Sequence, residues 1–239
     1  MIGKCFCVEI YGSDLSEQIL INGVELRTVS ITRSGGLSSF HVEFPEINNF
    51  SDGLIVDINQ TIYDMIVTNG NLHGINYELF GFKDSWIDID ITYEVTYSSD
   101  RLLSLRFFGA ITGGGVGARG FADIQKAITI DMNTGDVLSL GDFFTYAEMQ
   151  DMIENLFASE YSFIMGQHHN LSDSKDEQWR LELLKDLEGH FYNLLINDKL
   201  LNDTRYFYIR EDRVGLIASL ATPRDSVVIE IYVGQISHI

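Results

Sequence analysis

Trp86-Ile87-Asp88-Ile89-Asp90-Ile91-Thr92-Tyr93-Glu94-Val95-Thr96-Tyr97 alternates apolar and polar residues over its whole length. A strand repeats its side-chain direction every two residues, so this pattern describes a strand with one buried and one wet face. Ile87, Ile89, Ile91, Tyr93, Val95 and Tyr97 share the expected core face, with Asp88, Asp90, Thr92, Glu94 and Thr96 opposite. Ser98-Ser99-Asp100-Arg101 reads as a turn and Leu102–Ile111 as the return strand of a hairpin. The glycine-rich stretch Gly113-Gly114-Gly115-Val116-Gly117 reads as a loop, followed by a strand over Ile124–Asp131 and the hairpin turn Asn133-Thr134-Gly135.

Working outward, residues 4–33 read as short strands, with Lys4–Ile10 and Val24–Thr32 the clearest. Phe40–Phe44 alternates Phe40, Val42 and Phe44 with His41 and Glu43, and Pro45 is expected to end that strand because it cannot donate to a ladder. Ser51 and Asp52 can cap a helix whose apolar positions Leu54, Ile55, Ile58, Ile62, Met65 and Ile66 fall at helical spacing, with Asn69-Gly70 closing it. Residues 71–84 read as a loop or a short extra element. Two further helices are expected near Tyr146–Phe157 and Asp176–Ile196, separated by polar residues. Three strands end the chain, Tyr206–Arg210, Val214–Ser219 and Val227–Val233. Tight turns between strands predict largely antiparallel sheets, with one helix in the N-terminal half and two in the C-terminal half packed on them: an α+β fold.

The chain of 239 residues carries 16 Lys and Arg against 35 Asp and Glu, a formal net charge of −19. That balance argues against nucleic-acid binding, which needs a basic face, and against a polybasic membrane anchor. No run of 18 apolar residues is present, so no membrane-spanning helix is expected, and no secretory signal is read at Met1-Ile2-Gly3-Lys4-Cys5-Phe6. Cys5 and Cys7 are read as small apolar residues of a strand, since a disulfide across one residue is strained and no second ligand pair for zinc lies nearby.

Several segments in order carry a resemblance to a known family. They are Phe44-Pro45-Glu46-Ile47 before a helix, Tyr93-Glu94-Val95-Thr96-Tyr97, Leu102-Leu103-Ser104-Leu105-Arg106-Phe107-Phe108-Gly109, Thr112-Gly113-Gly114, Ile130-Asp131-Met132-Asn133-Thr134-Gly135 and Leu138-Ser139-Leu140-Gly141-Asp142-Phe143-Phe144. Over roughly residues 24–236 the chain resembles the RsiV/PdaC-like extracytoplasmic domain of bacteria. That family includes a lysozyme-binding anti-sigma factor ectodomain and the accessory domain of a peptidoglycan deacetylase. The resemblance implies an N-terminal strand extension over 1–23, a PdaC-type half over 24–118 and an RsiV-type half over 119–239, the two halves forming one globular unit. It also implies an extracytoplasmic location. The absence of a recognised export signal leaves a cytoplasmic offshoot with a regulatory role as the rival. The family's loop, Tyr-Thr-Gly-Gly-Ala-His-Gly-Asn, is matched at Thr112, Gly113, Gly114 and Gly117 and departed from at Ile111, Gly115, Val116 and Ala118. The family's His and Asn therefore have no counterpart, and the glycines are expected to serve a tight turn.

No residue constellation supports catalysis. A nucleotide loop would need Lys-Ser/Thr after the glycines and a following helix. No Gly-x-Ser-x-Gly elbow occurs, nor the Asp-Asp pair and His-x-x-x-His motif of a metal-dependent deacetylase, the enzymatic alternative. His168, His169, Asp173, Asp176 and His190 are weighed as a metal set against a solvated loop, and no metal or cofactor is assigned. Asp88, Asp90 and Glu94 form a row fit for a cationic partner or calcium, or simply a solvated sheet face. The expectation is a non-enzymatic binding domain for a protein, a cationic lysozyme-like one in particular, or a cell-wall polymer. Its candidate surface comprises Thr112, Gly113, Gly114, Gly117 and Arg119 with Asp88, Asp90 and Glu94. Tyr93 and Tyr97 are expected in the core beside Ile89 and Ile91.

Overall fold

The computed structural model describes residues 18–21, 24–35, 38–48, 52–68, 86–115, 118–167, 174–204, 207–219 and 226–233. Lys4–Ile10, both cysteines, Asn69-Gly70, the 71–84 segment, His168, His169 and Asp173 lie outside them. The architecture is α+β. Strands β1 (Gln18–Ile21), β2 (Val24–Gly35), β3 (Ser38–Ile47), β4 (Trp86–Ser98), β5 (Leu102–Gly115) and β6 (Ala118–Asp131) form one sheet in sequential order. Strands β7 (Phe207–Arg210), β8 (Arg213–Ser219) and β9 (Ser226–Tyr232) form a second. Every neighbouring pair is antiparallel except β3 and β4, which run parallel with Ser39 opposite Asp88 and Val42 opposite Ile91. Between those two strands lies helix α1 (Gly53–Tyr63), as a parallel pair requires a crossover.

Helix α1 starts where Asp52 accepts a hydrogen bond from the Leu54 amide at 2.9 Å. It continues through one π-helical turn, Asp64–Thr68. Ile58, Ile62 and Ile66 are buried against the inner sheet face with Val42, Phe44, Ile87, Ile89, Ile91, Leu103, Leu105 and Phe107. Asn59 pins the helix to β3, accepting from the Ile47 amide at 2.8 Å and donating to the Ile47 carbonyl at 3.0 Å.

Pro45 does not end β3, which runs on to Ile47. Asn48 N–H donates to the Glu25 carbonyl on β2. By the alternation of an antiparallel ladder, the backbone nitrogens of 45 and 47 then face the other way. On that side the ladder with β4 has ended at Val42, so the missing N–H of Pro45 costs no ladder bond.

The glycine-rich segment is strand, not loop, up to Gly115. Gly113 pairs with Gly120, Gly114 with Arg119 and Gly115 with Ala118, which leaves only 116–117 between β5 and β6. The hairpin is therefore longer at both strands than Leu102–Ile111 and Ile124–Asp131, and among the described glycines positive φ occurs at Gly135 (φ 80). The turn at 133–135 forms, with the Gly135 amide donating to the Asp131 carbonyl at 2.8 Å. Its return pairs only through the single bridge Ile130 to Val137, so no full strand follows.

Tyr97 is not on the face of Tyr93. The β4–β5 register slips between Val95 and Tyr97, a bulge that reverses the parity of the strand. Tyr93 packs with the core on the α1 side, whereas Tyr97 packs with the second core. That core joins the second sheet to helices α2 (Tyr146–Gln167, longer than the spacing to Phe157 suggested), α3 (Ser174–Ile196) and the short α4 (Lys199–Asn202). Phe207, Ile209, Val214, Leu216 and Ile231 face Met149, Ile153, Phe157, Leu187, Phe191 and Leu195 of the helices.

Candidate functional site

Register places the outer-face residues of the large sheet in transverse rows. Asp88 lies opposite Thr112, Asp90 opposite Ala110, Thr92 opposite Phe108 and Glu94 opposite Arg106. On the next ladder Phe108 lies opposite Gln125 and Arg106 opposite Ala127. Asp88 to Glu94 is six residues, about 20 Å at strand rise, so the two ends of this row meet different surroundings.

The Glu94 end is covered by the second sheet. Its face away from the helices carries Tyr208, Arg210, Arg213, Gly215, Ile217, Val228 and Glu230, and Tyr208 and Ile217 pack on Ala127. Ser104 is the tie: its Oγ accepts from the Ile209 amide at 2.9 Å and sits 2.9 Å from the Thr129 hydroxyl. Ser104 and Thr129 are both fully buried. Glu94 accepts from Arg210, whose Nε also lies 3.6 Å from Glu230. Glu230 accepts from the Tyr208 hydroxyl at 2.8 Å and from Arg213 at 3.4 Å, and Arg213 approaches Asp212 at 3.5 Å. Burial and then the hydrogen bond to Glu230 push the Tyr208 phenol up to about 12. The guanidinium of Arg106 stands over the rings of Tyr208 (5.6 Å) and Phe108 (5.3 Å) and donates twice to Gln125 Oε1, at 3.1 and 3.0 Å. Glu94 is thus part of an inter-sheet seam in which three carboxylates (Glu94, Asp212, Glu230) face three arginines (Arg106, Arg210, Arg213).

No described element covers the Asp88 end, where Gly113 and Gly114 are buried and Asp88 is half-buried. Asp90 is exposed and has no partner among the described residues. Asp88 accepts from the Ser39 hydroxyl at 2.6 Å. Glu43 accepts from Thr92 at 2.8 Å and lies 3.4 Å from His41 Nε2. Thr112 sits beside Asp88, and Gly113 and Gly114 pair with Ile87 and Trp86 at the same end of the sheet, with the backbone of Arg119 next to Gly114. Gly117 lies outside the described residues. The structure therefore gathers Asp88, Asp90, Thr112, Gly113, Gly114 and the Arg119 backbone at one end and sets Glu94 apart. Sequence reasoning passed over Ser104, Arg106, Phe108, Tyr208, Arg210 and Glu230. Ser104, Arg106 and Phe108 fall at alternate positions of an otherwise apolar strand, the one local signal that its second face is not bare.

Among the described residues no three His, Cys, Asp or Glu converge as a metal set, and no helix is long and apolar enough to cross a membrane. His190 Nε2 on α3 is buried with no hydrogen-bond partner among the described residues, and burial lowers its pKa.

No family model and no curated protein matches the chain. Among solved structures, the chain is similar to a member of the DUF3298 family from Bacteroides fragilis, with a TM-score of 0.53 at 13% identity over 89% of this chain and 91% of that one. A DUF3298 family protein from Pseudomonas aeruginosa aligns over 87% of this chain and 90% of its own with a TM-score of 0.41, also at 13% identity. The fold is thus that of the DUF3298 member from Bacteroides fragilis.

Proposed function

We propose that the chain is a non-enzymatic binding domain of the RsiV/PdaC-like kind, and that the Asp88 end of its outer sheet face receives a cationic protein. DUF3298 is the domain of RsiV/PdaC-like proteins, and the resemblance of the strand and turn segments points the same way. An extracytoplasmic location goes with that reading. The observation that carries it is the division of charge along one face. At the covered end carboxylates and arginines balance. At the other end the one basic side chain paired with Glu43, Asp88 or Asp90 among the described residues is His41, beside Glu43. An acidic face speeds encounter with a cationic partner and repels an anionic wall polymer.

Calorimetry against a cationic lysozyme at low and moderate salt tests this. Saturable binding at micromolar affinity or better that survives moderate salt is expected. The double variant D88N/D90N is expected to bind roughly 3- to 10-fold more weakly and with less salt dependence, the scale of two exposed ion pairs. No saturable heat, or heat abolished by modest salt, overturns the reading.

A further inference from the structure

We propose that Phe108 is the apolar anchor of this surface, the ring on which the cationic protein seats a residue while Asp88 and Asp90 take its charge. The inference rests on the functional reading above and adds which residue holds the partner.

Phe108 lies on the outer face one row beyond Arg106, between Thr92 and Gln125, and is half-buried. It belongs to none of the three apolar cores among the described residues, although Phe107 beside it is fully buried in the core under α1. A lone apolar side chain on a surface is ordinary; this one is also held in place. The Arg106 guanidinium stands over the ring, and that guanidinium is itself fixed by its two hydrogen bonds to Gln125. A ring fixed before binding loses little freedom on binding, which is how aromatic anchors concentrate affinity.

The neighbours specify the partner. The next outer-face residue along β5 is Ala110, which leaves the side of the ring toward the Asp88 end low. Asp90 stands opposite Ala110, diagonal to Phe108, at about 7–8 Å. The Thr92 hydroxyl is turned to Glu43 and does not compete. A partner segment carrying Lys or Arg beside an apolar residue satisfies both features at once. A neutral glycan leaves the carboxylates unanswered.

The test uses the whole chain and a cationic lysozyme in calorimetry. Phe108→Ala is expected to weaken binding at least about 10-fold with an unchanged salt dependence, as for a buried aromatic anchor. Phe108→Tyr is expected to restore it. D88N/D90N, by contrast, is expected to flatten the salt dependence. Melting of Phe108→Ala should fall only modestly, because the ring is half-buried and belongs to none of the three cores. Binding by Phe108→Ala within two-fold of the parent overturns the anchor and leaves the functional reading standing. A large loss of melting temperature in that variant also overturns it, because the ring would then be structural. Failure of the parent to bind overturns both.

Discussion

Ser104→Ala isolates the joint between the two sheets. The serine hydroxyl is the acceptor for the Ile209 amide, 105 residues away, and the partner of the Thr129 hydroxyl. All three residues are buried, with Ile209 at 1% exposure and the other two at 0%. Alanine removes the acceptor and leaves no route for water. The orphaned amide costs about 1–3 kcal/mol and the lost hydroxyl pair about 1 kcal/mol more. The total, about 2–4 kcal/mol, corresponds to a fall in melting temperature of about 4–16 °C for a chain of this size. Urea unfolding gives the free energy, and amide exchange at Ile209 locates the damage, because that proton should lose protection selectively. Ser104→Thr, which keeps the acceptor, controls for packing. A loss below about 0.5 kcal/mol with Ile209 still protected would show that the sheets are held by something else, since a loss that small is what an ordinary surface substitution gives.

Gly215→Ala should be among the most damaging single changes, at roughly 3 kcal/mol or more: a Cβ there would come within 2.6 Å of three ring carbons of the fully buried Tyr208. Near-native melting in that variant would mean the ring can move aside. Tyr208 also sets an alkaline limit. Its folded pKa, raised by burial and the Glu230 hydrogen bond to about 12, exceeds the ordinary 10.0, so the folded state holds the proton more tightly. The contribution is therefore complete below pH 10 and is lost as pH rises through about 12. Tyr208→Phe should lack that part of the alkaline destabilisation, and an unchanged pH–stability profile would count against it.

Much of the fold is written locally. Asp52 caps the helix its position announces, and the alternation buries Ile87, Ile89 and Ile91 as it marks them. What was illegible depends on distance or on a single-residue slip. One extra residue near Thr96 sends Tyr97 to the opposite core, and a period-two pattern carries no mark of it. Three consecutive glycines suit a loop on propensity alone, yet the ladder continues through them because their partners across the hairpin are in register. The parallel pairing of β3 with β4, which brings Glu43 and His41 beside Asp90, spans a stretch of chain with no local signal. Glu94 looked like the third member of an acidic row. Its partner Arg210, which also lies against Glu230, is more than 100 residues away, and the docking of the second sheet joins them.

That docking also makes the remaining carboxylates informative. Glu94 repays its place with an arginine partner, whereas Asp88 and Asp90 project from the same side of one strand, two residues apart, with Glu43 on the adjacent strand. Like charges so placed repel, and nearby like-charge pairs on a sheet face cost up to about 1 kcal/mol. The fold needs neither charge: Asp90 has no partner among the described residues, and the Ser39 hydroxyl bonds an oxygen that asparagine would keep. If the charges serve binding, they are held at a cost to stability, as at functional sites generally. D88N/D90N should therefore melt at the parent temperature or about 1–3 °C higher, the reverse of its effect on lysozyme affinity. A variant that loses binding and stability together would instead mean that the carboxylates support the sheet, and its weaker binding would be a consequence of damage to the fold.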